Sequence, residues 1–286
     1  AAGIHNSSKV AIYMPMTVEA IISYLAIIAL GGAVISIADS FSPKEIATRL
    51  DISGAEFIVT QDLAIRAGKK ICLFDKVIEA NAPTALVFKH SNADKDITLR
   101  SHDISLENWE EIDSLPLNFE ICDPDTPINV LFSSGTTGEP KAIAWDHTTA
   151  LKAAMDGHLH QDIQEGNVVA WPTNLGWMMG PWLIFATLIN KGTITIYYDS
   201  PTSREFLDFV EEAKVNILGV VPSIVTNWRN NNFLENANLD SIKLFSSTGE
   251  SSNHEDVFYL MSKPNYTPVI EYCGGTEIGG AFISST

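Results

Sequence analysis

Segments of strand and helix length alternate along the first sixty residues, and this alternation restricts the fold more than any other feature. Lys9–Met14 has the composition of a buried strand, Val18–Leu30 that of a helix ended by a Gly-Gly pair, and Ala33–Ile37 that of a second buried strand. The segment 42–45 (SPKE) has the N-cap, N1 proline and acidic first turn of a helix start, and Glu56–Thr60 predicts another strand. Strands that alternate with helices predict a parallel sheet in an α/β domain.

The same pattern returns after a polar interruption, which divides the chain. Residues 90–127 are polar and acidic, and we expect them to form a connection between two α/β subdomains, 1–89 (partial) and 128–286. Further strands are predicted at Ile71–Phe74, Ala85–Phe88, Asn129–Phe132, Val168–Trp171, Thr193–Tyr198, Ile217–Val221 and Leu244–Ser246. Further helices are predicted at Thr148–His158, Pro181–Leu188 and Arg204–Ala213.

The charge of the chain excludes some partners and not others. Acidic residues outnumber basic ones by 35 to 18, which gives a net charge of −17, and no cluster of five or more Lys and Arg occurs. Nucleic acids and anionic membrane surfaces both need a basic face, so neither is an expected partner. ATP remains a candidate, because physiological salt screens exposed charges beyond roughly 8 Å and a phosphate site depends on its immediate neighbours.

One apolar stretch, residues 18–38, is long enough to cross a bilayer. It contains Glu19, Ser23 and the pair Gly31-Gly32, and neither aromatic nor basic residues anchor its ends. A buried helix followed by a buried strand therefore explains this stretch better than a transmembrane segment.

Residues that often bind metals do not have useful spacing here. Cys72, Cys122 and Cys273 lie far apart, so a CxxC zinc site and a disulfide scaffold are both excluded, and a reducing compartment is favoured. His158 and His160 have no third ligand at a suitable distance in sequence, and surface or capping roles are favoured over a metal site.

The segment with the most chemical information follows the strand Asn129–Phe132. It contains two hydroxyl pairs, two glycines and a lysine: Ser133, Ser134, Gly135, Thr136, Thr137, Gly138, Glu139, Pro140 and Lys141. Glycines let backbone N–H groups approach an anion, hydroxyl groups add donors, and the lysine adds a point charge. It is not a Walker A loop, since two residues separate Gly138 from Lys141, and no GxGxxG or GxSxG motif occurs. By composition alone, a flexible surface loop is an equally good interpretation.

This loop closely resembles the phosphate-binding motif of the adenylate-forming enzyme superfamily, which includes acyl-CoA synthetases, amino-acid adenylation domains and firefly luciferase. The family pattern is [ST]-SG-[ST]-TG-x-PK-G, and the only departure is Ala142 in place of the last glycine. The resemblance covers nearly the whole chain and is strongest to the acetyl-CoA-synthetase branch and to plant peroxisomal acyl-activating enzymes. It implies the large N-terminal domain of that fold, with parallel sheets flanked by helices.

Three later segments resemble further family motifs in the expected order. Residues 170–182 resemble the aromatic segment beside the acyl pocket, and the turn Thr248, Gly249, Glu250 and Ser251 resembles the one that holds adenine. The last segment, Glu271, Tyr272, Cys273, Gly274, Gly275, Thr276 and Glu277, resembles the motif YGxTE. The resemblance implies that Thr276 contacts the α-phosphate and Glu277 holds Mg²⁺, and that Lys141, Thr276 and Glu277 have catalytic roles. Independently of the family, a carboxylate at a glycine-rich turn suits Mg²⁺, which binds few protein carboxylates together with phosphates.

The resemblance also implies a substrate class. Acetyl-specific members have a tryptophan where this chain has Gly274, so we expect room for a medium- or long-chain or aryl-bearing acid, with each buried CH₂ contributing about 0.8 kcal/mol. Trp177, Met178, Met179 and Thr248 are the other candidate pocket residues, although plain core packing would explain Trp177 and the methionines equally well.

The implied reaction has two steps: a carboxylate attacks the α-phosphorus of ATP to form acyl-AMP, and CoA thiolate then displaces AMP. The small-molecule partners are thus a carboxylic acid, ATP with Mg²⁺, and CoA, and the loop at 133–141 and Glu277 are expected to meet at one triphosphate. The family's ribose-binding Asp, hinge Arg and C-terminal lid with its catalytic lysine would follow residue 286, so the chain resembles a fragment with little activity alone. A noncatalytic nucleotide-binding remnant and a carrier-protein adenylation domain are the alternatives. Location is implied only by the family, as peroxisomal or otherwise cytoplasmic.

Overall fold

A computed structural model describes residues 3–90, 97–107, 109, 119–134, 138–264 and 266–284. The chain forms two compact units. The first contains Ala1–Thr148 and Asn174–Met178, and the second contains Thr149–Thr173 and Met179–Thr286. Each unit has its own mainly parallel sheet with helices packed against it, so the predicted α/β class is confirmed.

The first unit is built on a seven-stranded sheet in the order β7-β6-β3-β1-β2-β8-β9, in which only the β8–β9 pair is antiparallel. Its strands are β1 (Lys9–Tyr13), β2 (Ala33–Ile37), β3 (Phe57–Gln61), β6 (Thr84–Phe88), β7 (Ile104–Ser105), β8 (Pro127–Ser133) and β9 (Lys141–Asp146). A separate hairpin consists of β4 (Leu63–Arg66) and β5 (Lys69–Cys72), and the helices are α1 (Val18–Ala29), α2 (Pro43–Ser53) and α3 (Leu73–Glu79).

Local sequence explains the two helices that flank β2. Thr17 caps α1 by accepting a hydrogen bond from the backbone N–H of Ala20 at 3.2 Å. Ser42 and Glu45 form a capping box at the start of α2, and Gly54 ends this helix with φ at 65°, in the left-handed region. Of the helices that the structure describes, none has both the length and the apolar character needed to cross a membrane.

The predicted strand at Ile71–Phe74 is wrong in its second half. Strand β5 ends at Cys72, and the backbone N–H groups of Leu73 and Phe74 both donate to the carbonyl oxygen of Asp62, at 3.0 and 3.2 Å. This turn starts α3, which buries Leu73 and Phe74 in the core. A four-residue apolar run cannot distinguish a strand from a buried helix turn.

The second unit is built on a six-stranded sheet in the order β11-β10-β12-β13-β14-β15, antiparallel only between β14 and β15. Its strands are β10 (Val168–Ala170), β11 (Thr193–Thr195), β12 (Ile217–Val220), β13 (Leu244–Ser247), β14 (Val269–Gly275) and β15 (Gly280–Ser284). Its helices are α4 (His147–His160, from Thr149 onward in this unit), α5 (Met179–Leu188), α6 (Arg204–Glu212), α7 (Pro222–Asn230) and α8 (His254–Met261). Short 3-10 turns lie at Phe233–Asn236 and Thr276–Ile278.

The units divide the chain differently from the subdomains drawn from the sequence. Strand β8, which the sequence pattern places in the second subdomain, pairs with β2 through Val34↔Asn129 and Ile35↔Val130 and so belongs to the first sheet. The segment 174–178 also joins the first unit, because the side chain of Asn174 donates to Met14 O at 2.9 Å. At Gly176, a β-carbon would overlap the backbone of Ala38, so this close approach requires glycine.

Candidate active site

In the second unit, two turns lie side by side at the carboxyl edge of the sheet. One follows β13 and contains Thr248, and the other follows β14 and begins at Thr276. Thr248 Oγ1 donates to Tyr272 O at 2.5 Å and so ties the first turn to β14. In open parallel sheets the crevice at the carboxyl ends of the strands is where ligands bind, so this edge is the candidate site.

Hydrogen bonds to α7 and to β14 hold the turn after β13 in place. Gly249 has φ at 91°, which side chains with a β-carbon rarely adopt. The carboxylate of Glu250 accepts two hydrogen bonds from Ser223 at the start of α7, from its backbone N–H and its hydroxyl, both at 3.0 Å. Ser252 Oγ donates to Glu271 Oε2 at 2.8 Å. Gly249, Glu250 and Ser251 are exposed, so their backbone lies open to a ligand.

The turn after β14 presents the second predicted motif. Gly275 leads into the 3-10 turn Thr276–Ile278, where Thr276 is half-buried and Glu277 is exposed. The Glu277 carboxylate lies close to Gly275, since a β-carbon built on this glycine would be 3.4 Å from Glu277 Oε2. The side chain of Glu277 therefore folds back over the turn. An exposed carboxylate beside a glycine backbone is a suitable single protein ligand for Mg²⁺.

Buried side chains support the hairpin that β14 and β15 form. Tyr272 is buried in β14 and donates its hydroxyl to Asp156 Oδ2 on α4 at 2.7 Å, and its ring packs against Trp182 with centroids 5.4 Å apart. Burial, followed by the hydrogen bond and negative charge of Asp156, raises the pKa of Tyr272 far above its usual value. The phenol therefore stays protonated and remains a hydrogen-bond donor.

In the first unit, the predicted phosphate loop connects β8 to β9. Ser133 and Lys141 are register partners at the base of this connection, so the strands hold the two ends of the loop together. Ser134, Gly138 and Lys141 are exposed, and Gly138 has φ at 92°. Ser133 Oγ is buried and has no hydrogen-bond partner among the described residues. Gly135, Thr136 and Thr137 lie outside the described residues.

The candidate pocket residues are distributed over both units. Trp177, in the first unit, is exposed and makes an edge contact with Phe41 at a centroid distance of 5.7 Å. Met178 is half-buried in the same unit, whereas Met179, Thr248 and Gly274 belong to the second. Cys273, next to Gly274, is exposed on β14.

Gly274 has a structural role in this hairpin. A β-carbon on Gly274 would overlap the carbonyl oxygen of Gly280 on the paired strand. Glycine is therefore needed here for close approach of two backbones, next to the point where the β14–β15 register shifts. The direction in which a side chain at position 274 would point is occupied by main chain, and room for a longer acyl group beside this exposed glycine stays a prediction.

The exposed backbone, hydroxyl and carboxylate groups of these turns fit a nucleotide with its magnesium ion. Within the described part of the chain, no three His, Cys, Asp or Glu side chains are grouped so that they could hold a metal by themselves. His158 is exposed and His160 half-buried on the last turn of α4. A cation at Glu277 would thus need phosphate oxygens to complete its coordination, as Mg²⁺ does in nucleotide sites.

Three residues of the candidate site were missed by the sequence analysis: Ser223, Ser252 and Asp156. Ser223 and Ser252 meet the predicted turns through hydrogen bonds from 27 and 19 residues away, and Asp156 from 116 residues away. The only sequence signal for Asp156 is a carboxylate that directly follows the apolar run Ala153, Ala154 and Met155 in α4.

Comparisons with known proteins agree with the motifs. A family model described as AMP-binding enzyme matches residues 1–286. The chain is 49% identical over 290 residues to probable acyl-activating enzyme 17, peroxisomal, of Arabidopsis thaliana, covering 100% of this chain and 40% of that protein. It is 50% identical over 284 residues to hexanoyl-CoA synthase of Cannabis sativa, covering 98% of this chain and 39% of that protein.

A more distant relative and a solved structure also match the whole chain. An acetyl-coenzyme A synthetase of Pseudoalteromonas atlantica is 28% identical over 300 residues, covering 99% of this chain and 46% of the synthetase. The solved acetoacetyl-CoA synthetase of Streptomyces lividans superposes with a TM-score of 0.89 at 22% identity, over 99% of this chain and 45% of that one. The chain thus spans less than half the length of these relatives. With its whole length matched and its motifs in order, the chain belongs to the AMP-binding enzyme family of acyl-CoA synthetases and acyl-activating enzymes.

Proposed function

We propose that this chain forms the nucleotide-binding part of an AMP-forming acyl-CoA synthetase, which joins a carboxylic acid to CoA through an acyl-adenylate. The observation that carries the proposal is the pairing of the 248–251 turn with the Thr276–Glu277 turn at one sheet edge, tied by the Thr248–Tyr272 hydrogen bond. The relatives that are about half identical to this chain include a hexanoyl-CoA synthase, which supports the same reaction class.

The described residues have distinct roles in this proposal. The exposed turn at Gly249 and Glu250 contacts the adenine, Thr276 donates to the α-phosphate, and Glu277 holds Mg²⁺. Ser133, Ser134, Gly138 and Lys141 bind phosphate oxygens, together with Gly135, Thr136 and Thr137. Bound Mg²⁺ would neutralise phosphate charge, and the contribution of the chain is positioning and charge stabilisation.

The proposed substrate is a medium- or long-chain or aryl-bearing carboxylic acid, with Trp177 and Met178 as candidate contacts of the acyl group. The name of the hexanoyl-CoA synthase supports an acid longer than acetate. Two relatives named as peroxisomal support a peroxisomal location. We expect the 286-residue chain alone to bind nucleotide with little thioester synthesis, since its relatives are more than twice as long.

Isothermal titration calorimetry on the folded chain tests the nucleotide site. Wild type is expected to bind ATP more tightly with Mg²⁺ than without it, and Glu277→Gln to lose about tenfold in affinity only when Mg²⁺ is present, the equivalent of about 1.4 kcal/mol. Glu165→Gln is the control, because Glu165 is an exposed acid of the same unit that pairs with Lys191 instead. Absence of Mg·ATP binding by the wild type would refute the proposed function.

A further inference from the structure

One carboxylate in the second unit accepts hydrogen bonds from both arms of the β14–β15 hairpin. Asp156 Oδ2, on α4, lies 2.7 Å from Tyr272 Oη on β14 and 3.2 Å from the backbone nitrogen of Ala281 on β15. Lys152 Nζ, one helical turn earlier, is 2.5 Å from the same oxygen. Asp156 is only 3% exposed, so these groups replace its water.

The two hairpin contacts are placed symmetrically about the Thr276–Glu277 turn. Tyr272 precedes Thr276 by four residues, and Ala281 follows Glu277 by four. A hydrogen bond on each arm restrains the hairpin against opening and against sliding, which a contact with one arm could not do. The turn between the arms carries the proposed phosphate and magnesium ligands.

Two glycines, Gly280 and Gly157, show how closely the backbone packs around Asp156. A β-carbon on Gly280 would overlap Asp156 Oδ2 and would lie 2.6 Å from Lys152 Nζ. On the other side of α4, a β-carbon on Gly157 would lie 2.9 Å from the β-carbon of Ala186, so α4 packs tightly on α5. The carboxylate therefore projects from a helix that is itself fixed on the core of the unit.

We propose that Asp156 is a positioning residue that holds the Thr276–Glu277 turn in the geometry needed for a magnesium-bound nucleotide. This inference rests on the proposed function of the site. Asp156 has no contact with the reacting groups in the proposal; it acts through Tyr272 and the backbone of Ala281. A buried, charged acceptor suits this role, because hydrogen bonds to an ionised group are stronger and more directional than those to a neutral one.

The first test measures the hairpin itself by hydrogen exchange with mass spectrometry on the 286-residue chain. In Asp156→Asn, amides at 272–284 are expected to exchange about tenfold faster than in wild type, as loss of a charge-assisted hydrogen bond predicts. Asp256→Asn is the matched control: Asp256 is another buried helical aspartate of this unit, paired with Thr226 and Arg229 and not with the hairpin. Unchanged exchange at 272–284 in Asp156→Asn would overturn the proposal.

The second test separates positioning from stability by measuring the affinity for ATP with and without Mg²⁺. In Asp156→Asn the Mg²⁺-dependent gain in affinity is expected to shrink by about tenfold, while Mg²⁺-free binding changes less than about twofold. A purely structural role would weaken both equally and would overturn the proposal. If Asp156→Asn does not fold, Tyr272→Phe, which removes one donor and keeps the ring, is expected to shift both readouts in the same direction.

Different results would overturn the proposed function and the proposed role of Asp156. If wild type does not bind Mg·ATP, the proposed function and the role of Asp156 are both overturned. If wild type binds Mg·ATP and the Mg²⁺-dependent gain is unchanged in Asp156→Asn and in Tyr272→Phe, only the role of Asp156 is overturned.

Discussion

At the scale of single residues, Lys141 offers the simplest test of the loop between β8 and β9. It is exposed and is the register partner of Ser133, which places this residue at the base of the proposed phosphate loop. A unit charge about 4 Å from a phosphate interacts by roughly 4 kcal/mol at an effective dielectric of 20, and salt and hydration reduce the net effect. We expect Lys141→Ala to weaken ATP binding about tenfold at low salt, and the loss to shrink as salt is added.

The control for Lys141 must change net charge without touching the loop. Lys191 is exposed in the second unit, where its ammonium group pairs with Glu165 at 3.2 Å. Lys191→Ala is expected to leave the dissociation constant for ATP within about twofold of wild type, as for an exposed ion pair. Equal losses in the two variants, measured by calorimetry, would mean that Lys141 acts only through net charge.

At the same scale, sequence predicted the motif residues of the second unit but not their supports. Thr248, Gly249 and Glu277 belong to short contiguous patterns, so their chemistry can be recognised without a structure. Asp156 contacts Tyr272 only because the fold brings α4 next to β14, and no local pattern carries that information. The need for glycine at position 274 is also invisible to a local pattern, since the group that a β-carbon would meet, Gly280 O, belongs to the paired strand.

At the scale of elements, the start of α2 predicts a pH dependence. Glu45 Oε2 accepts hydrogen bonds from Ser42 N at 2.9 Å and Ser42 Oγ at 2.8 Å, and these lower the pKa of Glu45 from its ordinary 4.5. The unfolded chain therefore binds this proton more readily, so the stabilisation is complete above pH 4.5 and is lost as the pH falls through the lower folded pKa.

Urea unfolding at about pH 6 and about pH 3.5 measures this effect, because the free energy of unfolding follows the difference in bound protons. Glu45→Gln is expected to show a smaller drop in the free energy of unfolding between the two pH values than wild type does. Glu79→Gln, which removes an exposed carboxyl from α3 of the same unit, is the control. An identical drop in Glu45→Gln and wild type would contradict the prediction.

Elements with strong local signals were predicted well, and short or mixed ones were not. The bounds of β2 match the prediction, because Ala33–Ile37 is a continuous apolar run bounded by Gly-Gly and a polar loop. Helix α8 was missed, since its apolar residues form one short continuous run, 257–261, which does not distinguish a helix from a strand. Strand β9 was missed because its mixed sequence, KAIAWD, becomes a strand only by pairing with β8.

At the scale of the whole molecule, strand order depends on contacts that are remote in sequence. Strand β8 joins β2 across more than ninety residues, which is why it belongs to the first unit although its sequence neighbours the second. The alternation of strands and helices predicts parallel sheets and leaves the assignment of each strand open. The pairing of β8 with β2 places the loop between β8 and β9 in the first unit.

The preference for one acid over another is the last property that belongs to the whole molecule. Octanoate has six more CH₂ groups than acetate, and each buried one contributes about 0.8 kcal/mol, so burial of even three would favour octanoate by roughly fiftyfold. We therefore expect kcat/KM to rise from acetate to octanoate.

The measurement needs a protein that contains this chain and spans the length of its relatives, assayed for pyrophosphate release with a series of straight-chain acids and one aryl acid. Trp177→Ala is expected to lower kcat/KM for octanoate more than for acetate, because an exposed indole can cover a long acyl chain and not a short one. Tyr198→Ala, an exposed aromatic outside the candidate site, is the control. Gly274 is unsuitable for this test, since a side chain there would disturb the hairpin before it could shorten a pocket. A preference for acetate would show that the acyl site is short.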